Sequence, residues 1–204
     1  MSRPSTEIRT ASPDEGPQAV AAVVAAFITD PLARFAWPST FEYLRAAPVA
    51  TREFAGGSVE AGTAYVSADF RGAALWFPPN VHPNGAALEQ VFRDTAQPEH
   101  LDDLLATFEM MAHAHPDQPH WYLPMIGVEP HAQGRGLGAA LMRHAVAHCD
   151  QVGALAYLES SNPRNISLYL RHGFEALEEI RIGAAPLVTP MLRRPQARSE
   201  SLDR

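Results

Sequence analysis

The stretch GVEPHAQGRGLGAALMRHAV, residues 127–146, decides the fold of this chain. Three glycines at alternate positions, Gly134, Gly136 and Gly138, follow an apolar segment at 120–130 and precede an alanine-rich run. Glycines let backbone N–H groups approach an anion without an intervening side chain, and the helix that follows directs its positive dipole end at the same place. The pattern therefore predicts a strand, a turn that binds a phosphate or pyrophosphate, and a helix.

Two phosphate-binding motifs run through these glycines, and they imply different cofactors. Gly134, Gly136 and Ala139 form GxGxxA, a loose dinucleotide fingerprint, and Glu159 lies about twenty residues on, where a ribose-binding acid is expected. Only 66 residues follow the third glycine, too few for the further strand and helix units of a doubly wound domain. A Walker motif is excluded because the loop lacks its GK[ST] end. The pattern QxxGxG, which begins at Gln133, remains.

Length and composition narrow the class of protein. A chain of 204 residues is most simply one domain with its own core. The net charge of −7 argues against a nucleic-acid partner and suits a cationic small molecule. No apolar run has the length of a membrane span, and the single cysteine, Cys149, is expected to pack in the core. We expect a cytoplasmic monomer or homodimer with no membrane partner.

Apolar periodicity predicts helices and strands in alternation. The expected strands lie at 7–11, on both sides of a turn at 69–72, at 120–130, at 154–161, late in 162–183, and at 186–192. The expected helices lie at 17–29, at 40–54 with an interruption at Pro48, on both sides of Pro98 within 84–115, at 136–153, and after Pro163. The strand, helix and strand of 120–161 form a crossover unit, which indicates the α/β class.

The glycine loop and a later segment together resemble a known family. QxxGxG after YLPMIGV (122–128), with PRNISLYLRHGF (163–174) downstream, resembles the two C-terminal motifs of the GNAT superfamily of acetyl-CoA-dependent N-acetyltransferases. HWYL (120–123) and AYLESSNPRN (156–165) are similar to puromycin N-acetyltransferase-like members. A weaker likeness at 8–20 and 72–79 extends this similarity over most of residues 7–192.

The resemblance implies a single GNAT domain at residues 7–192, between a flexible N-terminus at 1–6 and a flexible tail at 193–204. The implied architecture is a mixed, twisted sheet of about seven strands with helices on both faces. The sheet should splay near residues 126–128, where acetyl-CoA enters.

The resemblance also assigns the coenzyme site. The loop amides hold the pyrophosphate of coenzyme A, Gln133 opens the cradle, and Asn165 contacts the coenzyme, although Asn165 also stands where a helix cap is expected. The strand 122–128 should pair with the pantetheine arm, since Pro124 already interrupts its hydrogen bonding, and the Ile126 amide is a candidate oxyanion donor. The expected coenzyme-binding residues are Ile126, Gly127, Val128, Gln133, Gly134, Arg135, Gly136, Leu137, Gly138, Asn165 and Tyr169.

Acetyl transfer to an amine requires a neutral nucleophile and a proton for the leaving thiolate. The family's proton donor, a tyrosine before the GF turn, corresponds to Tyr169. Many members carry a glutamate base early in the strand before the loop, but Tyr122 occupies that place here. Glu159 and His120 are the substitute candidates, each acting directly or through a water, and Glu159 could equally be a solvated strand-end acid.

Two further groups of residues have alternative interpretations. Trp37, Trp76, Phe77, Trp121 and Tyr122 could build an aromatic acceptor pocket, although buried aromatic residues usually belong to the core. His113 and His115 have no third ligand at a sensible spacing, and two residues apart on a helix they face different ways, so no metal site is expected.

The expected function is transfer of acetyl from acetyl-CoA to the amine of a small molecule, with amino-acyl and antibiotic-like amines as candidate acceptors. Two alternatives remain open. One is acetylation of protein lysines or N-termini, and the other is a coenzyme A-binding sensor without catalysis.

Overall fold

The computed structural model describes residues 7–196 and contains one seven-stranded mixed sheet. The strands lie in the order β1-β2-β3-β4-β5-β7-β6. Only the neighbours β4 and β5 are parallel, as the crossover through the intervening helix requires. The strands are β1 (Ile8–Thr10), β2 (Ala64–Ser67), β3 (Gly72–Phe77), β4 (His120–Val128), β5 (Leu155–Ser160), β6 (Glu175–Ala176) and β7 (Thr189–Arg193).

Helices cover both faces of the sheet, which confirms the predicted α/β architecture. One face packs on α7 and the other on α1, while α2, α3, α5 and α6 form a second apolar cluster beside the α1 face. No helix within 7–196 combines the length and the apolar character that a membrane span needs. The helices are α1 (Gly16–Ala26), α2 (Pro31–Ala36), α3 (Thr40–Ala55), α4 (Gly57–Glu60), α5 (Gly85–Thr95), α6 (Leu101–His113), α7 (Leu137–Val152) and α8 (Ile166–Arg171).

The splay of the sheet begins at Pro124. Pairing between β4 and β5 stops at Leu123 and Leu158, while β4 continues to Val128 against β3 alone. At the same place β4 contains one more residue than β3, because Tyr122 faces Phe77 and Met125 faces Leu75. Proline has no N–H for a ladder hydrogen bond, so it is tolerated at such a bulge. The edge of β4 at residues 124–128 is therefore free of β5, as the resemblance implied.

The helix predicted at 17–29 does end at Asp30, but a helix that begins there was missed, and the interruption predicted at Pro48 is wrong. The Asp30-Pro31 pair ends the short helical turn at Phe27–Thr29 that follows α1, and it also begins α2. Asp30 Oδ1 accepts hydrogen bonds from the N–H groups of Leu32 and Ala33 at 3.0 and 3.1 Å. An aspartate cap followed by proline is a favourable helix start. The expected interruption at Pro48 is absent, since α3 runs unbroken from Thr40 to Ala55 and packs against α1 and α5.

The C-terminal boundary lies slightly later than expected. The strand expected late in 162–183 is reduced to the two residues of β6 and a bridge between Ile180 and Val188. Strand β7 includes Arg193, whose buried guanidinium pairs with Asp150, although the sequence analysis assigns Arg193 to the tail. The expected flexible segments 1–6 and 197–204 lie outside the described residues.

Candidate active site

The glycine loop forms a left-handed turn directly before α7. Gly134 and Gly136 have φ values of +72° and +84°, which L side chains adopt only at a cost, and a Cβ added to either would meet no atom within 4 Å. The Gln133 side chain donates to the carbonyl oxygen of Val128 at 2.9 Å and so closes the loop onto the end of β4. The glycines are therefore needed for backbone shape, and the space in front of them is open.

A cleft of about 370 Å³ lies in front of this loop. It runs between the end of α1, the free edge of β4, the start of α7 and residues 162–171. Arg135 is the only expected coenzyme-binding residue that does not line it. Those that do are Ile126, Gly127, Val128, Gln133, Gly134, Gly136, Leu137, Gly138, Asn165 and Tyr169.

The cleft also contains residues that the sequence analysis missed. Arg164 and Arg171, both exposed, line it and add positive charge to the cleft. The sequence offered one indication of their role: both arginines lie in PRNISLYLR, one before α8 and one at its end, on either side of Tyr169 in the chain. The helix cap in this segment is Asn162, which accepts the Arg164 N–H at 3.1 Å, whereas Asn165 makes no capping hydrogen bond. Asn165 thus stands at the N-cap position of α8, as considered, but its side chain does not cap the helix.

A second, smaller cavity of about 100 Å³ adjoins the cleft. Its walls are largely apolar and come from α2, α3, α5 and α6 together with the splayed parts of β4 and β5. Of the aromatic residues expected around an acceptor, only Trp37 lines it. Trp76, Phe77, Trp121 and Tyr122 belong to the buried core instead. The other aromatic walls are Phe27, Tyr43, Phe54, Phe92 and Phe108.

Tyr169 stands where the cleft and the small cavity meet. It lines both, together with Phe27, Asp30, Ile126 and Asn165. Burial, and secondarily the negative charge of Asp30, raises the pKa of the Tyr169 phenol above its ordinary value. The hydroxyl therefore remains protonated at neutral pH and is available as a donor at the junction.

Asp30 is a second carboxyl at this junction, and the sequence analysis did not select it. Its Oδ1 caps α2, and its Oδ2 accepts the Ser161 hydroxyl at 2.8 Å. Burial raises its pKa, and the hydrogen bond from Ser161 partly opposes that shift. With both oxygens already occupied, Asp30 fixes the wall between the cleft and the cavity.

Glu159 lines the small cavity as a buried carboxyl with an unsatisfied oxygen. Its side chain is 1% exposed, and Oε1 has no hydrogen-bond partner. His115 Nε2 lies 3.3 Å from Oε1, within ion-pair reach but without hydrogen-bond alignment. Burial, followed by the Glu159 charge, raises the pKa of both Tyr122 and Tyr157, so these phenols keep their protons beside it. Glu159 is therefore not a solvated strand-end acid.

His120 lies outside the small cavity, in a groove of about 960 Å³ on the far side of Tyr122. Its Nε2 lies 2.9 Å from His115 Nδ1, and its Nδ1 lies 2.8 Å from the Gln118 carbonyl oxygen. Burial lowers the pKa of His120, with a smaller opposing effect from that carbonyl. The two base candidates are thus not side by side, and His115, which the sequence analysis considered only as a metal ligand, lies between them.

The remaining sequence expectations concern a cysteine and two histidines. Cys149 is buried against the sheet, and burial raises its thiol pKa to about 12, so it is a packing residue. His113 is exposed and hydrogen-bonds the Glu109 carbonyl of its own helix, so His113 and His115 do face different ways. In the described part of the chain, no three His, Cys, Asp or Glu side chains are placed to hold a metal ion.

Comparisons with known proteins agree with this geometry. The sequence model of the acetyltransferase (GNAT) family matches residues 98–174. Mycothiol acetyltransferase of Saccharomonospora viridis is 40% identical over 57 residues, which are 26% of this chain and 19% of that protein. The chain thus matches about a fifth of the length of this curated relative.

Two solved structures share the fold over nearly the whole chain. A Corynebacterium glutamicum protein described as histone acetyltransferase HPA2 and related acetyltransferase is 26% identical, with a TM-score of 0.67 and coverage of 97% of this chain and 99% of that one. Drosophila melanogaster polyamine N-acetyltransferase is 16% identical, with a TM-score of 0.62 and coverage of 92% of this chain and 99% of that one. Residues 98–174 thus match the sequence model of the acetyltransferase (GNAT) family, and the described chain as a whole has the fold of these acetyltransferase structures.

Proposed function

We propose that this protein transfers the acetyl group of acetyl-CoA to the amine of a small molecule with an apolar body. One observation carries the proposal: an anion-binding cleft and a buried acceptor cavity meet at Tyr169, and the cavity contains a buried, unsatisfied carboxylate oxygen on Glu159. Neutralising an ammonium and protonating a thiolate are the two proton transfers that the reaction needs.

The cleft fits coenzyme A by charge and by shape. The backbone amides of 134–138 and the N-terminus of the 16-residue α7 would hold its pyrophosphate, with Arg164 and Arg171 as further cations. The free edge of β4 at Ile126, Gly127 and Val128 would pair with the pantetheine arm. Acetyl-CoA supplies the acetyl group as an activated thioester.

The protein's own residues would then act in sequence on the two protons. Glu159 takes a proton from the bound ammonium, so that the amine becomes a nucleophile. The Ile126 N–H stabilises the negative oxygen that develops on the reacting carbonyl. Tyr169 donates its phenol proton to the departing sulfur. No covalent intermediate on the protein is needed.

The size of the cavity limits the acceptor. An apolar cavity of about 150 Å³ accommodates a benzene ring, so about 100 Å³ admits a small amine with only a few carbon atoms near the reacting nitrogen. Amino-acyl or antibiotic-like acceptors, as in the puromycin N-acetyltransferase-like members that the sequence resembles, would have to extend beyond it. Polyamine acetylation by the Drosophila neighbour supports a small amine. We place the reaction in the cytoplasm, as expected for a chain with one unpaired cysteine.

Protein lysine acetylation is the second candidate, favoured by the name of the Corynebacterium neighbour. A lysine on a protein surface needs a wide channel to the thioester, whereas this cavity has a volume of only about 100 Å³ and is lined by α2, α3, α5 and α6. We therefore rank the small amine first.

The test is release of coenzyme A thiol from acetyl-CoA, measured with a panel of small alkyl and arylalkyl amines, polyamines and a lysine peptide. We expect at least one small amine to raise the rate well above hydrolysis. Glu159→Gln should lower that rate about 10²-fold or more below pH 8, where the amine is charged. If no amine raises the rate of thiol release above hydrolysis, the proposed function is wrong.

A further inference from the structure

We propose that His115 connects Glu159 to His120 and thereby conducts the proton of the acceptor amine from the small cavity to the adjoining groove, which His115 and His120 line. The proposal rests on the function proposed above. It assigns His115 a role as a positioning residue in proton transfer, since His115 acts through Glu159 and does not line the acceptor cavity.

The three groups form a continuous series of short contacts. Glu159 Oε1 lies 3.3 Å from His115 Nε2, His115 Nδ1 lies 2.9 Å from His120 Nε2, and His120 Nδ1 lies 2.8 Å from the Gln118 carbonyl. The series begins at the Glu159 side chain, which is 1% exposed, and continues through His115 and His120, which both line the groove. It therefore leads from the cavity to the groove.

The contacts fix where the protons lie. A carbonyl only accepts, so His120 carries its proton on Nδ1, and its Nε2 must accept in the neutral ring. His115 then carries a proton on Nδ1 and presents Nε2 to Glu159. Nε2 lies 3.3 Å from Glu159 Oε1, so a proton that Glu159 takes from the amine can pass to this nitrogen. Glu159 then returns to the carboxylate form, and the next proton can enter once His115 has passed one on to His120.

The step needs no partner other than water. The ammonium N–H bond breaks and its proton adds to Glu159, from which it passes to His115 Nε2. The His115 Nδ1–H bond then breaks and that proton adds to His120 Nε2. The His120 imidazolium releases its Nδ1 proton to water in the groove, and both rings, which line the groove, regain their starting tautomers by exchanging ring protons with that water. Each turnover thus moves one proton from the amine to solvent.

The surroundings of Glu159 offer few other groups that could accept the proton. Coenzyme A would fill the cleft on the Tyr169 side, and the remaining cavity walls are largely apolar. Tyr122 and Tyr157 pack against the His115 ring at centroid distances of 4.5 and 4.6 Å, and their raised pKa values prevent them from accepting a proton as phenolates. The lowered pKa of His120 favours release of the proton it receives.

The other titratable groups of the groove set the field around the exit. His82 faces His120 from the loop before α5, and its positive form would further lower the His120 pKa. Glu89, Asp102 and Glu109 line the groove from α5 and α6, and Arg93 is paired with Glu89. The charged residues that line this groove therefore carry a net negative charge, which favours release of a proton into the groove.

The kinetic test compares His115→Ala with His113→Ala, a histidine two residues earlier that is exposed and bonded only to its own helix. We expect His115→Ala to lower kcat about 10-fold or more, to leave KM for acetyl-CoA within about twofold, and to be partly rescued by imidazole, which can enter the groove. His113→Ala should match the wild type. His120→Gln should lower kcat similarly, and the double variant His115→Ala with His120→Gln should be no slower than the slower single variant. An unchanged kcat in His115→Ala, or additive losses, overturns the proposal.

A second measurement does not depend on activity. Histidine ring resonances can be titrated by NMR in the wild type and in Glu159→Gln. Coupling through His115 predicts that removing the Glu159 charge lowers the titration midpoint of His120, two groups away, and leaves that of His113 unchanged. An unshifted His120 midpoint contradicts the relay even if the enzyme is active, whereas absence of activity with a shifted midpoint contradicts only the proposed acceptor reaction.

Discussion

At the scale of single residues, the phenol of Tyr169 has the sharpest role to test. We expect Tyr169→Phe to lower kcat about 10²-fold, because the departing thiolate loses its proton donor, and to change KM for acetyl-CoA by less than about twofold. Thiol release and coenzyme A binding are measured on the same samples. Tyr65→Phe is the matched control, since Tyr65 is also buried with a raised pKa but lines no described cavity. A variant that turns over normally would refute the acid role, and a coenzyme sensor would show no turnover to lose.

The sequence identified some residues of the site for reasons that could be read locally. Glu159 lies at the end of the second strand of the crossover unit 120–161, so its place at the splay follows from that unit, whereas Tyr169 was identified by resemblance to the family's tyrosine before the GF turn. His115 could not be identified, because its partners arrive from β4 and β5 and only the packed sheet brings His120 and Glu159 to its two ring nitrogens. Four lining residues of the small cavity could not be identified either, because the sequence pattern of an apolar helix position is the same whether the side chain faces the core or a cavity. These residues are Tyr43, Phe54, Phe92 and Phe108.

At the scale of the element, α7 carries a left-handed glycine at each end and therefore provides its own control. Gly136→Ala and Gly153→Ala place an alanine at φ +84° and +66°, in both cases with open space for the added Cβ. Each should cost about 1 kcal/mol of folding free energy. Only Gly136 lines the cleft, so only Gly136→Ala should weaken coenzyme A binding, by about tenfold. Calorimetric titration with coenzyme A measures both variants, and equal weakening would contradict a pyrophosphate site at the loop.

Most elements could be predicted because their signals are local, and the failures were at prolines. The turn between β2 and β3, the division of α5 from α6 at Pro98, and the end of α7 at Gly153 follow from residue types that act on their own backbone. Pro48 lies inside α3, where packing against α1 and α5 compensates for the lost hydrogen bond. Asp30 ends one helical segment and caps the next, and the sequence analysis predicted the end of the first but not the start of the second.

At the scale of the whole molecule, one buried arginine ties three elements together behind the site. Arg193 at the end of β7 makes paired bonds of 2.7 and 2.8 Å to the Asp150 carboxylate on α7, and its Nε donates to the His172 carbonyl after α8. Strand β7 pairs with β5, the strand that carries Glu159. The clamp thus fixes the outer half of the sheet against the helix that begins at the coenzyme loop.

Removing the carboxylate should therefore destabilise the fold rather than the chemistry. Asp150→Asn leaves the Arg193 guanidinium, 2% exposed, without its counter-charge, and we expect a loss of about 3 kcal/mol in the free energy of unfolding by urea. The hydrogen bonds from Arg193 lower the pKa of Asp150, so its contribution is complete above the unfolded pKa of about 3.9 and is lost as pH falls through the lower folded value. The wild type should consequently lose stability more steeply than the variant below about pH 4.

The control is Glu89→Gln, which breaks an ion pair whose side chains are about half exposed. It should change the unfolding free energy by less than about 0.5 kcal/mol. Equal effects of the two substitutions, or parallel pH curves for Asp150→Asn and the wild type, would show that Arg193 does not depend on Asp150 in the folded protein.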